Sequence, residues 1–213
     1  MIANALAQLQ PFRRRGAEVI VVDGGSDDGT AEAAVGRADR VIVAPRGRAL
    51  QMNAGAQAAS GDILLFLHVD SRLPADADGL IRDGLLRTGS CWGRFDIRIE
   101  STHPLVRLIG WFMNRRSRLT GIATGDQGIF VRRAAFVACG GYPPIALMED
   151  IALSRTLKKL GRPLCLRECI VTSGRRWERH GAWRVMIMMW RLRLAYFAGA
   201  DPARLAAIYE RKA

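Results

Sequence analysis

Lysine is nearly absent from this 213-residue chain. Lys158, Lys159 and Lys212 are the only three, so the formal net charge of +12 is carried almost wholly by arginine. A charge of this size and sign implies an anionic partner: a nucleotide diphosphate, an anionic lipid or a nucleic acid. Paired C-x-x-C spacing is also missing. Cys91, Cys139, Cys165 and Cys169 are scattered, which argues against zinc or a disulfide framework and for reduced thiols in the cytoplasm. The opening Met1-Ile-Ala-Asn-Ala-Leu6 has neither the basic nor the long apolar segment of a secretion signal. The most apolar window, Val185 to Ala200, is interrupted by Arg191 and Arg193 and is too short and too charged to span a bilayer. No zinc knuckle, aromatic-rich RNA-binding strand or recognition-helix pattern is present, which weighs against nucleic acid as the partner. The expectation is a cytoplasmic protein, able at most to touch the inner face of a membrane.

No repeat, low-complexity tract or linker divides the chain, so a single domain is expected. Within it, apolar runs alternate with helical spacing. Glu18 to Asp23 and Arg40 to Ala44 read as short buried strands, with a Gly/Asp/Ser turn and a helix between them. Arg46 to Ala59 reads as a helix. Asp62 to Asp70 then gives five apolar residues, Ile63 to Leu67, ending in a polar tip, the pattern of a buried strand in a parallel sheet. Strand alternation puts His68 and Asp70 on one side. The order strand, helix, strand, helix, strand predicts a Rossmann-like α/β sheet flanked by helices. Gly24-Gly25 is not the G-x-G-x-x-G fingerprint, so NAD and FAD are disfavoured. Further on, Cys91 to Glu100 reads as a half-exposed strand of antiparallel character, Gln127 to Val131 and Leu164 to Val171 as buried strands, and Met148 to Leu160 as a helix. Ala182 to Ala198 and Pro202 to Arg211 form a helical C-terminus.

Asp23, Asp70 and the Glu149-Asp150 pair end or flank strands, where open α/β sheets bind ligands. Singly each has an ordinary account: Asp23 begins a turn, and Glu149-Asp150 favours a helix N-terminus. In order along the chain they resemble something definite. Val-Val-Asp23-Gly-Gly-Ser26-Asp-Asp28-Gly-Thr30, Asn53-Ala-Gly55, Leu-His68-Val-Asp70 and Glu149-Asp150 are similar to the successive motifs of family-2 glycosyltransferases. The stretches Arg48-Ala-Leu-Gln51-Met-Asn53, Gly125-Asp126-Gln127-Gly128 and Arg176-Trp177-Glu178-Arg179-His180-Gly181 resemble a short bacterial branch of that family, often encoded near radical-SAM proteins. The resemblance covers nearly the whole chain.

The resemblance implies a GT-A fold with a mostly parallel sheet and inverting transfer of a sugar from a nucleotide donor, UDP-linked, to a hydroxyl acceptor. Residues 1–90 would form the nucleotide-binding half, 91–181 the acceptor half and 182–213 the C-terminal helices. Asp23, Ser26 and Asn53 would hold the nucleotide. Asp70 matches the second Asp of a D-x-D motif and would bind Mg²⁺ or Mn²⁺ on the diphosphate, since hard cations prefer carboxylate and phosphate oxygens. Asp150 matches the acidic base that takes the acceptor's proton. Glu149, Asp126, Gln127, Arg176 and Trp177 would face the acceptor and the diphosphate, where a guanidinium suits phosphate oxygens.

Two departures stand out. His68 replaces the first Asp of D-x-D, where it either ligates a softer ion, bonds the ribose or is structural. The family's first, central strand is also missing: Met1 falls inside the helix that follows it, so about a dozen upstream residues are expected to be lacking. That strand would lie between Glu18–Asp23 and Ile63–His68, and without it two strand edges stand unpaired. A non-catalytic nucleotide- or lipid-binding remnant of the fold is therefore the alternative. The window Trp183 to Tyr196, apolar with interspersed arginines, reads either as core or as an interfacial helix that feeds a lipid-linked acceptor from an anionic membrane.

Overall fold

The structure, a computed structural model, describes residues 1–211, and of Arg176 the backbone only. Its elements follow one another as helix α1 (Ile2–Arg14), strand β1 (Ile20–Asp23), α2 (Thr30–Ala34), β2 (Arg40–Val43), α3 (Arg48–Ala58), β3 (Ile63–Leu65), β4 (Ser71–Arg72) and α4 (Ala77–Thr88). Then come β5 (Trp92–Glu100), α5 (Pro104–Thr120), a 3-10 turn at Gly125–Gln127, β6 (Phe130–Arg132), α6 (Arg133–Ala138) and α7 (Glu149–Leu160). Strand β7 (Leu164–Ser173), α8 (Arg175–His180), α9 (Ala182–Phe197) and α10 (Pro202–Arg211) complete the chain.

The strands form two sheets, a parallel pair β1-β2 and a five-stranded sheet of order β3-β6-β5-β7-β4. The α/β architecture expected from the sequence is found, with a mixed sheet. Pairing is parallel for β1–β2 and β5–β7 and antiparallel for β3–β6, β5–β6 and β4–β7. Helices cover both faces. On one, Ala49 and Ala56 of α3, Phe136 of α6 and Leu153 and Leu157 of α7 pack over Leu64, Trp92 and Val131. On the other, Phe12 of α1 and Ile81 and Leu85 of α4 pack over Phe95, Phe130 and Ile170. Alternation along β3 sets this division: Leu64 and Phe66 enter the first cluster, Ile63, Leu65 and Leu67 the second.

Three expectations about strands change. The run Asp62 to Asp70 is a strand only over Ile63–Leu65, and it pairs antiparallel with β6. One further bond, Phe66 N–H to Ile129 O at 3.0 Å, extends it; then the partner chain turns away at Gly125–Gln127 and Ser71 N–H closes a tight turn on His68 O. Strand β5 is not half-exposed at its start, because it lies in the middle of the sheet, and Trp92, Arg94 and Phe95 are fully buried. Gln127 belongs to the turn before β6, not to the strand.

Among the described residues no strand joins β1 to β3. Their facing edges instead line a cavity of about 1360 Å³, apolar beside Ile20, Val22, Ile63 and Leu65 and polar where the chain reaches His68 and Asp70. Burial of β3 is incomplete for the same reason: Ile63 and Leu65 are half-buried on the cavity side.

Candidate active site

The polar end of the cavity is built around one short turn. Thr124 to Gly128 is tightened by a reciprocal cap in which the Thr124 side chain and the Gln127 backbone, and the Gln127 side chain and the Thr124 backbone, bond one another. From this turn the Gly125 N–H donates to Asp150 Oδ2 at 2.9 Å. The neighbouring Asp126 carboxylate takes His68 Nδ1 at 3.2 Å. A Cβ added at Gly125 would stand 2.7 Å from His68 Nε2, so only glycine lets the imidazole lie this close. One turn thus positions a residue from the end of β3 and another from the start of α7.

Helix α7 opens on two carboxylates. The residue before them, Met148, has φ 71, an uncommon left-handed conformation for a side chain that long. Both carboxylates that follow border the cavity, Glu149 buried and Asp150 half-buried. Asp150 Oδ1 also accepts the Ile151 N–H at 2.7 Å, which fixes the carboxylate against the helix start. Burial, and next the charge of Asp150, push the Glu149 pKa up. Arg48 Nη1 lies 4.0 Å from Glu149 Oε1 and opposes that shift. The two adjacent carboxyls therefore have different surroundings: Glu149 faces Arg48, while Asp150 accepts from two backbone N–H groups.

His68 is pulled both ways. Burial lowers its pKa, but the hydrogen bond and charge of Asp126, with the charge of Asp70, outweigh it, so the net shift is upward. Asp70 is exposed and lines the cavity beside it. The arrangement fits a Mg²⁺ or Mn²⁺ ion through Asp70, since such ions are held by one or two carboxylates together with substrate phosphates and water. His68 fits that ion less well, because its Nδ1 is committed to Asp126.

At the other end, Asp23 closes β1 and turns its carboxylate onto its own loop. Oδ2 accepts from the Gly25 N–H at 2.9 Å and the Ser26 N–H at 2.8 Å, and Oδ1 accepts from the Ser26 hydroxyl. The Ser26 side chain, then its backbone, hold the Asp23 pKa below its ordinary value. The loop lines a second cavity of about 370 Å³ with Arg46 and Gln51. Ser26 and Gln51 border both cavities, so the two are contiguous.

Asp23, Ser26, Asp70, His68, Asp126, Glu149, Asp150 and Trp177 thus lie along one continuous hollow. Trp177 also packs against the cluster of Ile97, Ile99 and Ile109. Two expected residues are elsewhere. Asn53 spends its side chain on the Tyr142 backbone, donating to its O at 2.8 Å and accepting its N–H at 2.9 Å. Gln127 is fully buried, accepting the Thr124 N–H at 3.2 Å and donating to Asn114 Oδ1 at 3.4 Å. Neither lines the cavity; Gln127 holds the Thr124 backbone, which does, and Asn53 holds Tyr142, which does not. The side chain of Arg176 lies outside the described residues.

Arg48, Arg193 and Tyr209 line the hollow and were not singled out from the sequence. Tyr209, on α10, hydrogen-bonds Arg48, so the last helix closes over the site. Arg48 stood inside a quoted motif; Arg193 and Tyr209 lie in stretches whose only sequence signal was amphipathic helix. Of the arginine clusters, Arg13 and Arg15 are tied to Asp39 and Asp78 at 2.6 and 2.7 Å, and Arg118 to Asp96 at 2.6 Å.

The sequence model described as Glycosyl transferase family 2 matches residues 1–139. No curated protein matches the chain. Among solved structures, the mannosyltransferase PcManGT from Pyrobaculum calidifontis, in complex with GDP-Man and Mn²⁺, superposes with a TM-score of 0.66 at 20% identity, over 97% of this chain and 63% of that one. S. aureus TarS 1-349 in complex with UDP gives 0.62 at 17% identity, over 81% and 55%. Mannosyl-3-phosphoglycerate synthase from Rubrobacter xylanophilus gives 0.54 at 17% identity, over 81% and 62%. The chain therefore spans little more than half the length of these structures.

Proposed function

The chain belongs to glycosyl transferase family 2, and from that premise we propose that it moves a sugar, with inversion, from a UDP-linked donor to an acceptor hydroxyl. The observation that carries the reading is the placement of Asp150 on the cavity wall, held by the Gly125 N–H of the turn that also pairs Asp126 with His68. The nucleoside would rest on the Asp23–Ser26 loop, with the diphosphate running toward Arg48 and the His68–Asp126 pair. In the reaction Asp150 takes the proton of the acceptor O–H as that oxygen bonds to the anomeric carbon. The carbon–oxygen bond to the diphosphate breaks, and its electron pair leaves with UDP. Arg48 and His68 would face the charge growing on that leaving group, the place where fixed positive groups lower a barrier most. Asp70 would hold Mg²⁺ or Mn²⁺, whose chemistry when bound is to neutralise the same charge. UDP is bound by one structural relative and GDP-Man with Mn²⁺ by another, so both nucleotides belong in the test.

The test is calorimetric titration of UDP and GDP with Mn²⁺, followed by UDP-sugar turnover in wild type and Asp150→Asn. Binding of UDP in both proteins with turnover lost in the variant supports the reading. Binding without turnover in either would favour the non-catalytic nucleotide-binding remnant, and no nucleotide binding refutes both and leaves the lipid-binding remnant.

A membrane surface is the second element of the proposal. Among the described residues no helix is long and apolar enough to cross a membrane. Yet Trp183, Ile187, Trp190 and Leu194 of α9, spaced along one helical stripe, are each more than half exposed. Helix α9 packs on α5, which exposes Trp111, Phe112 and Leu119. Exposed Arg115, Arg184 and Arg191 flank these residues. Aromatic and aliphatic side chains fringed by arginine suit the interface of an anionic bilayer. Sedimentation with phosphatidylglycerol vesicles at low salt, and not with phosphatidylcholine vesicles, is expected; no sedimentation with either removes this part.

A further inference from the structure

Helix α7 grips the turn that holds Asp150 at a second point. Ser154, fully buried one helical turn after Asp150, accepts the Ala123 N–H at 3.1 Å and donates its hydroxyl to Ala123 O at 3.4 Å. The partners are four residues apart on α7, Asp150 and Ser154, and two apart on the facing segment, Gly125 and Ala123. Thr124 between them is extended, with φ −115 and ψ 156. An extended chain rises about 3.3 Å per residue and a helix about 1.5 Å, so both pairs span about 6–7 Å. The segment therefore runs beside the opening of α7 in register. Its alternate N–H groups meet the helix, and Ala123, Leu153 and Leu157 pack in one apolar cluster. A serine inside a helix ordinarily returns its hydroxyl to a carbonyl of its own preceding turn. Ser154 spends it across the interface instead.

Resting on the glycosyl-transfer reading, we infer that Ser154 is a positioning residue for the Asp150 base. It does not line the hollow; it fixes the register between α7 and the Ala123–Gly125 segment, and with it the place of the Asp150 carboxylate. The other side of the turn is already anchored. Gln127 reaches Asn114 of α5 at 3.4 Å, and Asn114 bonds both the N–H and the O of Ile97, in the middle strand β5, at 2.8 and 2.9 Å. Ser154 adds the matching anchor on α7. The same turn carries Asp126 on His68, so the serine also sets how far the base stands from that pair. Without its hydroxyl the buried Ala123 N–H has no acceptor, a state that costs more than the bond itself contributes. The segment would then shift to find one, and the lone Gly125 bond would carry Asp150 with it. A base needs its position held to a fraction of an ångström.

The experiment measures UDP-sugar turnover, UDP affinity and Tm for the full chain in wild type, Ser154→Ala and Leu157→Val. Ser154→Ala is expected to lower kcat at least about tenfold, with UDP affinity and donor KM within about twofold of wild type. Leu157→Val, which trims the same buried cluster without touching the hydroxyl, should lower Tm and leave kcat unchanged. In the Asp150→Asn background Ser154→Ala should cost no further turnover, because the serine acts through that carboxylate. If Ser154→Ala does not fold, Ser154→Cys, close in size and a weaker hydrogen-bonding group, takes its place under the same criteria. An unchanged kcat, a full additional loss in the Asp150→Asn background, or an equal loss in Leu157→Val overturns the inference. Wild type with no turnover of any UDP-sugar would end the transferase reading but not the register. The amides then decide: Ser154→Ala should speed hydrogen exchange at Gly125 as well as at Ala123, and an unchanged Gly125 rate refutes the register.

Discussion

Gly125→Ala tests the architecture of the site with a single methyl group. The backbone at Gly125 is not in the left-handed region, so alanine carries no conformational penalty there. The new Cβ, however, would meet His68 Nε2 at 2.7 Å and Cε1 at 2.8 Å, against an ordinary contact of about 3.4 Å. Either the imidazole or the turn must move by about 0.7 Å. If the ring moves, the 3.2 Å contact to Asp126 is lost. If the turn moves, the 2.9 Å bond from Gly125 to Asp150 is lost. Overpacking of this kind costs about 2 kcal/mol, which lowers the Tm of a domain this size by about 4–8 °C. A displacement approaching 1 Å of a catalytic group reduces turnover by up to about 100-fold. The assays are thermal unfolding by circular dichroism and UDP-sugar turnover, with His68→Ala as the second arm. Removing the ring makes room for the methyl group, so Gly125→Ala should cost little stability in the His68→Ala background. Unchanged Tm and turnover in Gly125→Ala, or an equal cost with and without His68, would refute the claim that this turn meets His68 and positions Asp150.

Other outcomes are expected. Asp150→Asn should lower turnover by about 10²–10⁴-fold, the usual worth of a general base, with UDP affinity unchanged by calorimetry. The raised His68 pKa means that the folded state holds this proton more tightly than the unfolded chain. Its stabilisation is complete below about pH 6.5 and is lost as pH rises through the folded-state value; chemical denaturation from pH 6 to 9 should show the decline, and Asp126→Asn should flatten it. Hydrogen exchange should be slowest in β5 and β7, whose long pairing lies inside the sheet, and fast on the inward edges of β1 and β3, which pair with no strand among the described residues. Uniform protection across all four strands would contradict that topology.

Much of the fold was legible because each element's local signals agreed. The Glu18–Asp23 run is a β-branched strand closed by a glycine turn, and β1 ends at Asp23 as expected. Helix α7 begins at Glu149, where two acids favour an N-terminus, and stops before Gly161. What failed depended on partners distant in sequence. Ile63 to Leu67 is apolar enough for a buried parallel strand, but its length and direction are set by β6 and by the turn before it, some 60 residues on. Asn53 and Gln127 sit in motif-like stretches, yet their amides serve backbone. For Asn53 that backbone is 89 residues away at Tyr142, and no local pattern reveals such a bond. Arg193 was one of several arginines in an amphipathic window. Only packing of α9 on α5 separates it from exposed Arg191 and brings it beside Asp150. The carboxylates were the readable part of the site; the arginines that face them were not.

The most direct test of the account is single-turnover release of UDP from a UDP-sugar, compared between wild type and Asp150→Asn at matched donor occupancy. The account predicts release by wild type, faster with Mn²⁺, and a loss of at least about 100-fold in the variant with its UDP affinity intact. Equal rates in the two proteins at equal occupancy would contradict it.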